Sequence, residues 1–196
     1  MITFIKYIRK HIPIIWRIIE LCNRLFVKLI YGNKIDSSVK EALDKYSTEY
    51  KIKEIKISDA KALELFFKLQ PNGFDEFFKP HGFDEESIKE TIKNEYIRMF
   101  TVNKENKIIG YFFIRFFANG KAFRGKIVDI NYRGKGIAKM MGSCVTEIVF
   151  KVGFRLMATV SKKNVASINS SRASNKICII KELENDYIYV EYLPKE

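Results

Sequence analysis

From Lys126 to Phe150 the sequence reads KIVDINYRGKGIAKMMGSCVTEIVF. A run of β-branched residues passes directly into a turn carrying Gly134 and Gly136, and helix-forming residues follow at once. Such a junction suits an anion. Two glycines let the backbone approach a phosphate closely, the successive N–H groups of Arg133 to Ala138 converge on it, and the helix N-terminus adds about half a positive charge. Arg133 and Lys135 supply counter-charge. A plain tight turn between a strand and a helix is the competing reading of the same residues. The stretch has neither the full GxGxxG of a dinucleotide site nor the GxxxxGK[ST] of a nucleoside triphosphate site, so neither of those is supported.

The elements that must hold this junction can be read on either side of it. Tyr50 to Ser58 alternates apolar and charged residues like a strand, and Ser58 has the chemistry of an N-cap for a helix over Asp59 to Leu69. Phe74 to Phe83, FDEFFKPHGF, forms an aromatic loop around Pro80 and Gly82, followed by a helix from Asp84 to Asn94. Strands are expected at Ile97 to Val102, Ile108 to Phe117 and Lys121 to Ile130, the first two joined by the polar turn NKENK. After the junction come a helix to Phe150, a strand over Arg155 to Ser161, a helix over Val165 to Ser174, and strands over Ile177 to Leu183 and Tyr187 to Tyr192. That order predicts a mixed α/β sheet with helices on its faces.

The first 48 residues differ in character and are read as a separate basic amphipathic segment, with the main domain over residues 49–196. In IIWRIIELCNRLFVKLIY, Arg17, Glu20, Asn23, Arg24 and Lys28 recur at steps of three and four, which gathers them on one helical face and leaves a broad apolar face opposite. Upstream, Lys6, Arg9 and Lys10 stand beside Phe4, Ile5, Tyr7 and Ile8, and Pro13 is expected to kink or restart the helix. Asn33 to Ser38 reads as a turn before a short helix to Tyr46. Arg17, Glu20 and Arg24 interrupt the apolar run well short of the roughly 20 residues needed to span a bilayer. A charged apolar stretch with no cleavage site is also a poor secretory signal. Two readings stay open: a helix lying on an anionic membrane, or one packing on the domain or on a second copy in a homodimer.

The totals bound the rest. Of 196 residues, 35 are Lys or Arg and 23 are Asp or Glu, a formal charge of +12 that favours anionic partners or simply makes a solvated basic surface. No RNP, zinc or helix-turn-helix signature accompanies the charge, so nucleic acid is not expected as a partner. Cys22, Cys144 and Cys178 are odd in number and far apart, which suits a reducing cytoplasm, buried thiols and no metal site. The expected location is cytoplasmic, at the inner membrane face if the first helix binds lipid.

Arg133, Gly134, Lys135, Gly136, Ile137 and Ala138 resemble the R/Q-x-x-G-x-G/A signature of the GNAT superfamily of acetyl-CoA-dependent N-acetyltransferases. Asn164, Ser167 and the helix around Arg172 resemble that family's second block. The likeness covers Tyr50 to Tyr192 in element order and is specific over Lys126 to Asn175. It implies a mostly antiparallel central sheet flanked by helices, with an extra N-terminal helical segment. It further implies that the strand before the signature splays from its neighbour and pairs with the pantetheine arm of acetyl-CoA through Val128 and Ile130. The pyrophosphate would then lie on Arg133, Gly134, Lys135, Gly136, Ile137 and Ala138, and Asn164 would face the cofactor. Three positions depart from the pattern. Ser171 stands where many relatives place a tyrosine acid for the leaving thiolate, so Ser171 acts through water, another group substitutes, or the thiolate leaves unaided. Ile130 replaces a common proline, and Asn175-Lys176 replaces Gly-Phe.

The implied reaction is attack of an amine on the thioester, which calls for a base that titrates near neutral pH. Histidine is the natural choice. His11 lies in the N-terminal segment, leaving His81 in KPHGF as first candidate and Asp129 as second. Phe74, Phe77, Phe78 and Phe83 read as an acceptor-pocket wall or as plain core. FFKPHGFD also resembles acetyltransferases of bacterial surface-polysaccharide gene sets, which points to an amino sugar or nucleotide-linked amino sugar as acceptor. The rival readings are N-acetylation of a protein or peptide, and a non-catalytic, membrane-associated acyl-CoA-binding protein.

Overall fold

In the computed structural model, which describes residues 13–195, the chain opens with α1 (Pro13–Tyr46) and β1 (Lys51–Glu54). A 3-10 turn (Ile57–Asp59), α2 (Ala60–Lys68), α3 (Glu85–Ile92), β2 (Ile97–Lys104), β3 (Lys107–Phe117) and β4 (Lys121–Val128) follow. A second 3-10 turn (Ile130–Tyr132) leads to α4 (Ile137–Val152), β5 (Arg155–Ser161), α5 (Val165–Ser174), β6 (Asn175–Leu183) and β7 (Tyr187–Pro194). The seven strands form one sheet in the order β1-β2-β3-β4-β5-β7-β6. Every neighbouring pair is antiparallel except β4 and β5, whose parallel pairing needs the crossover that α4 provides. The mixed, mostly antiparallel sheet with helices on its faces is the architecture expected from the sequence.

β3 lies inside the sheet, between β2 and β4, and its sequence is apolar on both faces, as a strand covered on both sides requires. Ile109, Tyr111, Phe112, Ile114 and Phe116 are all fully buried. On one side Phe116 packs edge-on against Phe154, which in turn meets Tyr31 of α1. On the other side Tyr111 meets Phe67 of α2 and Phe78 of the aromatic loop. α4 contributes Ile137, Met141, Cys144, Val145, Ile148 and Val152 at steps of three and four, the stripe that buries a helix on a sheet.

Two of the boundaries that differ from the sequence reading have a visible cause. β1 stops at Glu54, because the Asp59 carboxylate accepts the Lys56 N–H at 2.8 Å and folds the chain into the first 3-10 turn. That places Asp59, not Ser58, at the N-cap of α2. β4 ends at Val128, since Asp129 opens the second 3-10 turn.

The larger correction is α1, which runs unbroken through Asn33 to Ser38, where a turn was expected. Ile35, Ser38, Val39 and Ala42 are buried in this part, against α4 and the sheet. Burial of such side chains exceeds the roughly 1 kcal/mol that Gly32 costs a helix. Ion pairs reinforce the contact: Lys45 with Glu147 at 2.6 Å, Lys151 with Glu41 at 2.8 Å, and Arg98 bound to both Asp36 and Glu54. The first half of α1 is attached differently. Asn23 donates to the Phe116 carbonyl and accepts from the Ala118 N–H, Lys28 pairs with Glu95, and among its described side chains Val27 is the one buried large hydrophobic residue. The polar side of this half therefore meets the domain, and the apolar side is exposed. The basic stretch with Lys6, Arg9, Lys10 and His11 lies outside the described residues.

Candidate active site

β4 pairs with β3 along its whole length, and β5 pairs with β7 from Leu156 to Ser161. Between themselves β4 and β5 pair only at Lys121–Arg155, Ala122–Leu156 and Phe123–Met157. Beyond that point the two strands diverge, so β4 from Arg124 to Val128 and β5 from Ala158 to Ser161 face each other without ladder bonds. Backbone groups inside a sheet need partners. An open wedge of this kind offers them to an extended ligand carrying amides.

The anion-binding junction stands at the mouth of the wedge. Asp129 holds the 3-10 turn through its carboxylate, which accepts the Asn131 N–H at 2.9 Å. The Arg133 side chain then reaches back to the Val128 carbonyl at 3.5 Å. Gly134 and Gly136 have φ of 77° and 78°, left-handed values that a residue with a Cβ resists. The N–H groups of Gly134, Lys135 and Gly136 donate to no protein acceptor among the described residues. Those of Ile137 and Ala138 open the 16-residue α4, where the first N–H groups have no helical partner. Arg133 to Gly136 are exposed, and the Lys135 ammonium sits 4.9 Å from the centre of the Tyr132 ring. Free donors, two left-handed glycines and the positive end of a helix together fit a diphosphate. Ile130 lies past the end of the strand, in the 3-10 turn and half exposed.

Two cations that sequence reasoning passed over lie on the α4 side of the wedge. The Lys126 ammonium donates to the Ala138 carbonyl at 2.7 Å, and Arg124 donates to the Gly142 carbonyl at 3.2 Å while its guanidinium stacks 3.9 Å from the Tyr192 ring. One terminal nitrogen of Arg124 is buried with no partner. The signal for them was a charge recurring at every second position of a strand that must be covered on both faces. Burial first, and the Arg124 charge second, pull the Lys126 pKa down to about 7. Unfolding restores the ordinary value of 10.5, so between pH 7 and 10.5 the unfolded chain holds a proton that the folded chain does not. Stability should therefore climb with pH across that window, by on the order of a few kcal/mol. Denaturant titrations at pH 7 and pH 9.5 are expected to show the gain in wild type and a smaller one in Lys126→Met.

On the opposite face the aromatic loop closes over β3 and β4. Gly125 makes this closure possible: a Cβ there would lie 2.5 Å from the Phe113 ring and 3.1 Å from that of Phe78. His81 is pinned at both nitrogens, with Nδ1 at 2.6 Å from the Gly82 carbonyl and Nε2 at 2.7 Å from the Tyr111 hydroxyl. A carbonyl only accepts, so Nδ1 carries the proton and Nε2 accepts from the phenol. Burial first, and the nearby Arg115 charge after it, hold His81 below its ordinary value and thus neutral at pH 7. Burial drives the Tyr111 phenol well above its usual range. Arg115 donates to the Pro80 carbonyl at 3.4 Å and keeps a buried Nε without a partner.

The remaining sequence candidates are distributed around the wedge. Asn164 caps α5, its Oδ1 accepting the Ser167 N–H at 3.0 Å, which leaves its amide hydrogens free. Ser171 is buried on α5, and its carbonyl accepts from Ser174. Asn175 ties β6 to α4 through Thr146 at 2.6 Å. A groove of about 520 Å³ between α5 and the β6–β7 pair shares Val160 with the open edge of β5, and Arg172 and Lys176 stand on its lining. Among the described residues no cluster of His, Cys, Asp and Glu suits a metal.

The model of the acetyltransferase (GNAT) family matches residues 63–170, more than half of the chain and all of the wedge. The chain belongs to that family. The fold of this GNAT protein is also that of the GNAT domain of PAT from S. lividans, at 15% identity and a TM-score of 0.62, with 74% of this chain and 90% of that one covered. RimL, a ribosomal α-N-protein acetyltransferase in complex with coenzyme A, aligns at 17% identity and 0.59, covering 74% and 93%. AAC(6')-Ib, in complex with paromomycin and acetyl-CoA, aligns at 12% identity and 0.58, covering 76% and 94%. No curated protein sequence matches this GNAT chain. At these identities the structural matches speak for the fold alone.

Proposed function

We propose that the chain is an acyl-CoA-dependent N-acyltransferase that moves an acetyl group from acetyl-CoA to a primary amine of a small acceptor. The observation that carries this reading is the β4–β5 wedge with free loop amides at its mouth. In it, the N–H groups of Gly134 to Ala138, with the Arg133 cation beside them, hold the diphosphate, and the backbone of Val128, with Ile130 beyond it, pairs with the pantetheine amides. Asn164 contributes its free amide hydrogens from across the wedge. Bound acetyl-CoA supplies the activated thioester, whose carbonyl the backbone near Val128 polarises.

His81 takes the proton of the amine, at Nε2 and by way of the Tyr111 hydroxyl, because Nδ1 is committed to Gly82. Asp129 is the second candidate base, though its carboxylate already caps the 3-10 turn. Ser171, buried on α5, is the candidate for protonating the thiolate. The partnerless Arg115 nitrogen behind the aromatic loop and the +12 charge favour an anionic acceptor, for which a nucleotide-linked amino sugar is the first choice.

Calorimetry with coenzyme A, followed by free-thiol release from acetyl-CoA over a panel of amino sugars, nucleotide-linked amino sugars and peptide amines, tests this reading. Heat of binding and thiol release with a sugar amine are expected. No heat at all would defeat the donor assignment, release with peptide amines alone would move the acceptor, and binding without any turnover would leave an acyl-CoA binder.

A further inference from the structure

We propose that the first half of α1 is a membrane-docking helix, which lies in the plane of an anionic lipid surface with its apolar face in the headgroup–acyl boundary. This role of α1 does not depend on the acyltransferase activity. A helix added to a soluble domain ordinarily buries its apolar stripe and turns its polar side to water. Here the arrangement is reversed. Asn23 and Lys28 are spent on β3 and on Glu95, and among the described side chains of residues 14–30 Val27 is the one large apolar residue that is buried. Ile14, Ile18, Leu21, Leu25, Leu29 and Ile30 all stand exposed, Ile14 at 70% and Leu29 at 79%.

At 3.6 residues per turn the exposed apolar side chains cover roughly half the circumference over a length of about 25 Å. A patch of that extent exceeds what a soluble monomer ordinarily leaves to water. Arg17 and Arg24 flank it, as basic residues flank helices that lie on acidic lipid. No described helix is long and apolar enough to cross a bilayer, so the helix lies on the surface rather than through it.

Charge selects lipid over a second copy as the occupant. Two chains of +12 meeting along this face would bring Arg17 and Arg24 of both together, whereas an anionic surface neutralises the same groups. Phosphatidylglycerol headgroups at high density suit both the charge and the apolar face.

The test is co-sedimentation of the full chain with vesicles of phosphatidylcholine containing about one-third phosphatidylglycerol, at low and at high salt, beside vesicles of phosphatidylcholine alone. Binding to the acidic vesicles at low salt is expected, weakened at least ~10-fold by high salt or by neutral lipid. The variant Leu25→Glu/Leu29→Glu touches only exposed positions, so it should keep the wild-type melting temperature and coenzyme A affinity while its partition onto acidic vesicles falls at least ~10-fold. No sedimentation at low salt, or a variant that sediments as wild type does, would overturn the proposal. So would light scattering that reports a wild-type dimer split to monomers by Leu25→Glu/Leu29→Glu, because the face would then belong to a second copy.

Discussion

Gly136→Val is expected to weaken coenzyme A binding by about 10- to 100-fold while lowering the melting temperature by only about 2–8 °C. The substitution meets no clash, since nothing lies within 4 Å of a Cβ at this position. Its effect comes from φ of 78°, where a β-branched residue is a severe outlier and costs roughly 1–2 kcal/mol. The backbone can relieve that cost by rotating the first turn of α4. Rotation carries the N–H groups of Gly136, Ile137 and Ala138 away from their shared focus, and one lost charge-assisted hydrogen bond accounts for the expected factor. Calorimetry with coenzyme A measures the first quantity and thermal unfolding without ligand the second. Unchanged affinity in a folded Gly136→Val protein would rule out the loop as the diphosphate site.

His81→Ala should lower turnover by about 10²- to 10⁴-fold, the range for loss of a general base, with coenzyme A affinity changed less than about twofold. The separation is expected because His81 lies on the face of the sheet opposite α4. Tyr111→Phe, which deletes the hydroxyl bonded to His81 Nε2, should share much of the loss. The pH profile provides a second readout. Burial holds the His81 pKa below 6.5, so the imidazole is already neutral at pH 7 and the wild-type rate should fall only as pH drops below 6.5. The same sign applies to stability, because below 6.5 the unfolded chain gains a proton that folded His81 refuses. Circular dichroism across the acid limb separates loss of fold from loss of base. Turnover of wild-type magnitude in His81→Ala would confine this histidine to fastening the aromatic loop.

The elements around the cleft were legible because their signals are local. Alternation marked β1, apolar runs of strand-forming residues marked β2 and β3, and the run from β-branched residues into Gly134 and Gly136 marked the strand–loop–helix junction. The divergence of β4 from β5 has no such signal: it rests on pairing between strands more than thirty residues apart and entered only through family likeness. The His81–Tyr111 bond is likewise non-local, and the alternating charges of Arg124 and Lys126 in β4 are easily passed over. A basic residue in a strand reads as solvent-facing until the helix that covers it is known. Asn33 to Ser38 reads as a turn because local propensity is visible, whereas the packing of Ile35, Val39 and Ala42 that overrides it is not.

The continuity of α1 makes it a rigid shaft with a fixed phase. Its far half is clamped to α4 and the sheet, so the azimuth of the near half relative to the β4–β5 cleft is set by residue count, at about 100° per residue. Adding one residue between Tyr31 and Asn33 would swing the outward stripe a quarter-turn or more around the domain, and adding four would nearly return it. The bearing of the catalytic mouth with respect to whatever the near half lies on is thus encoded in the length of an uninterrupted helix.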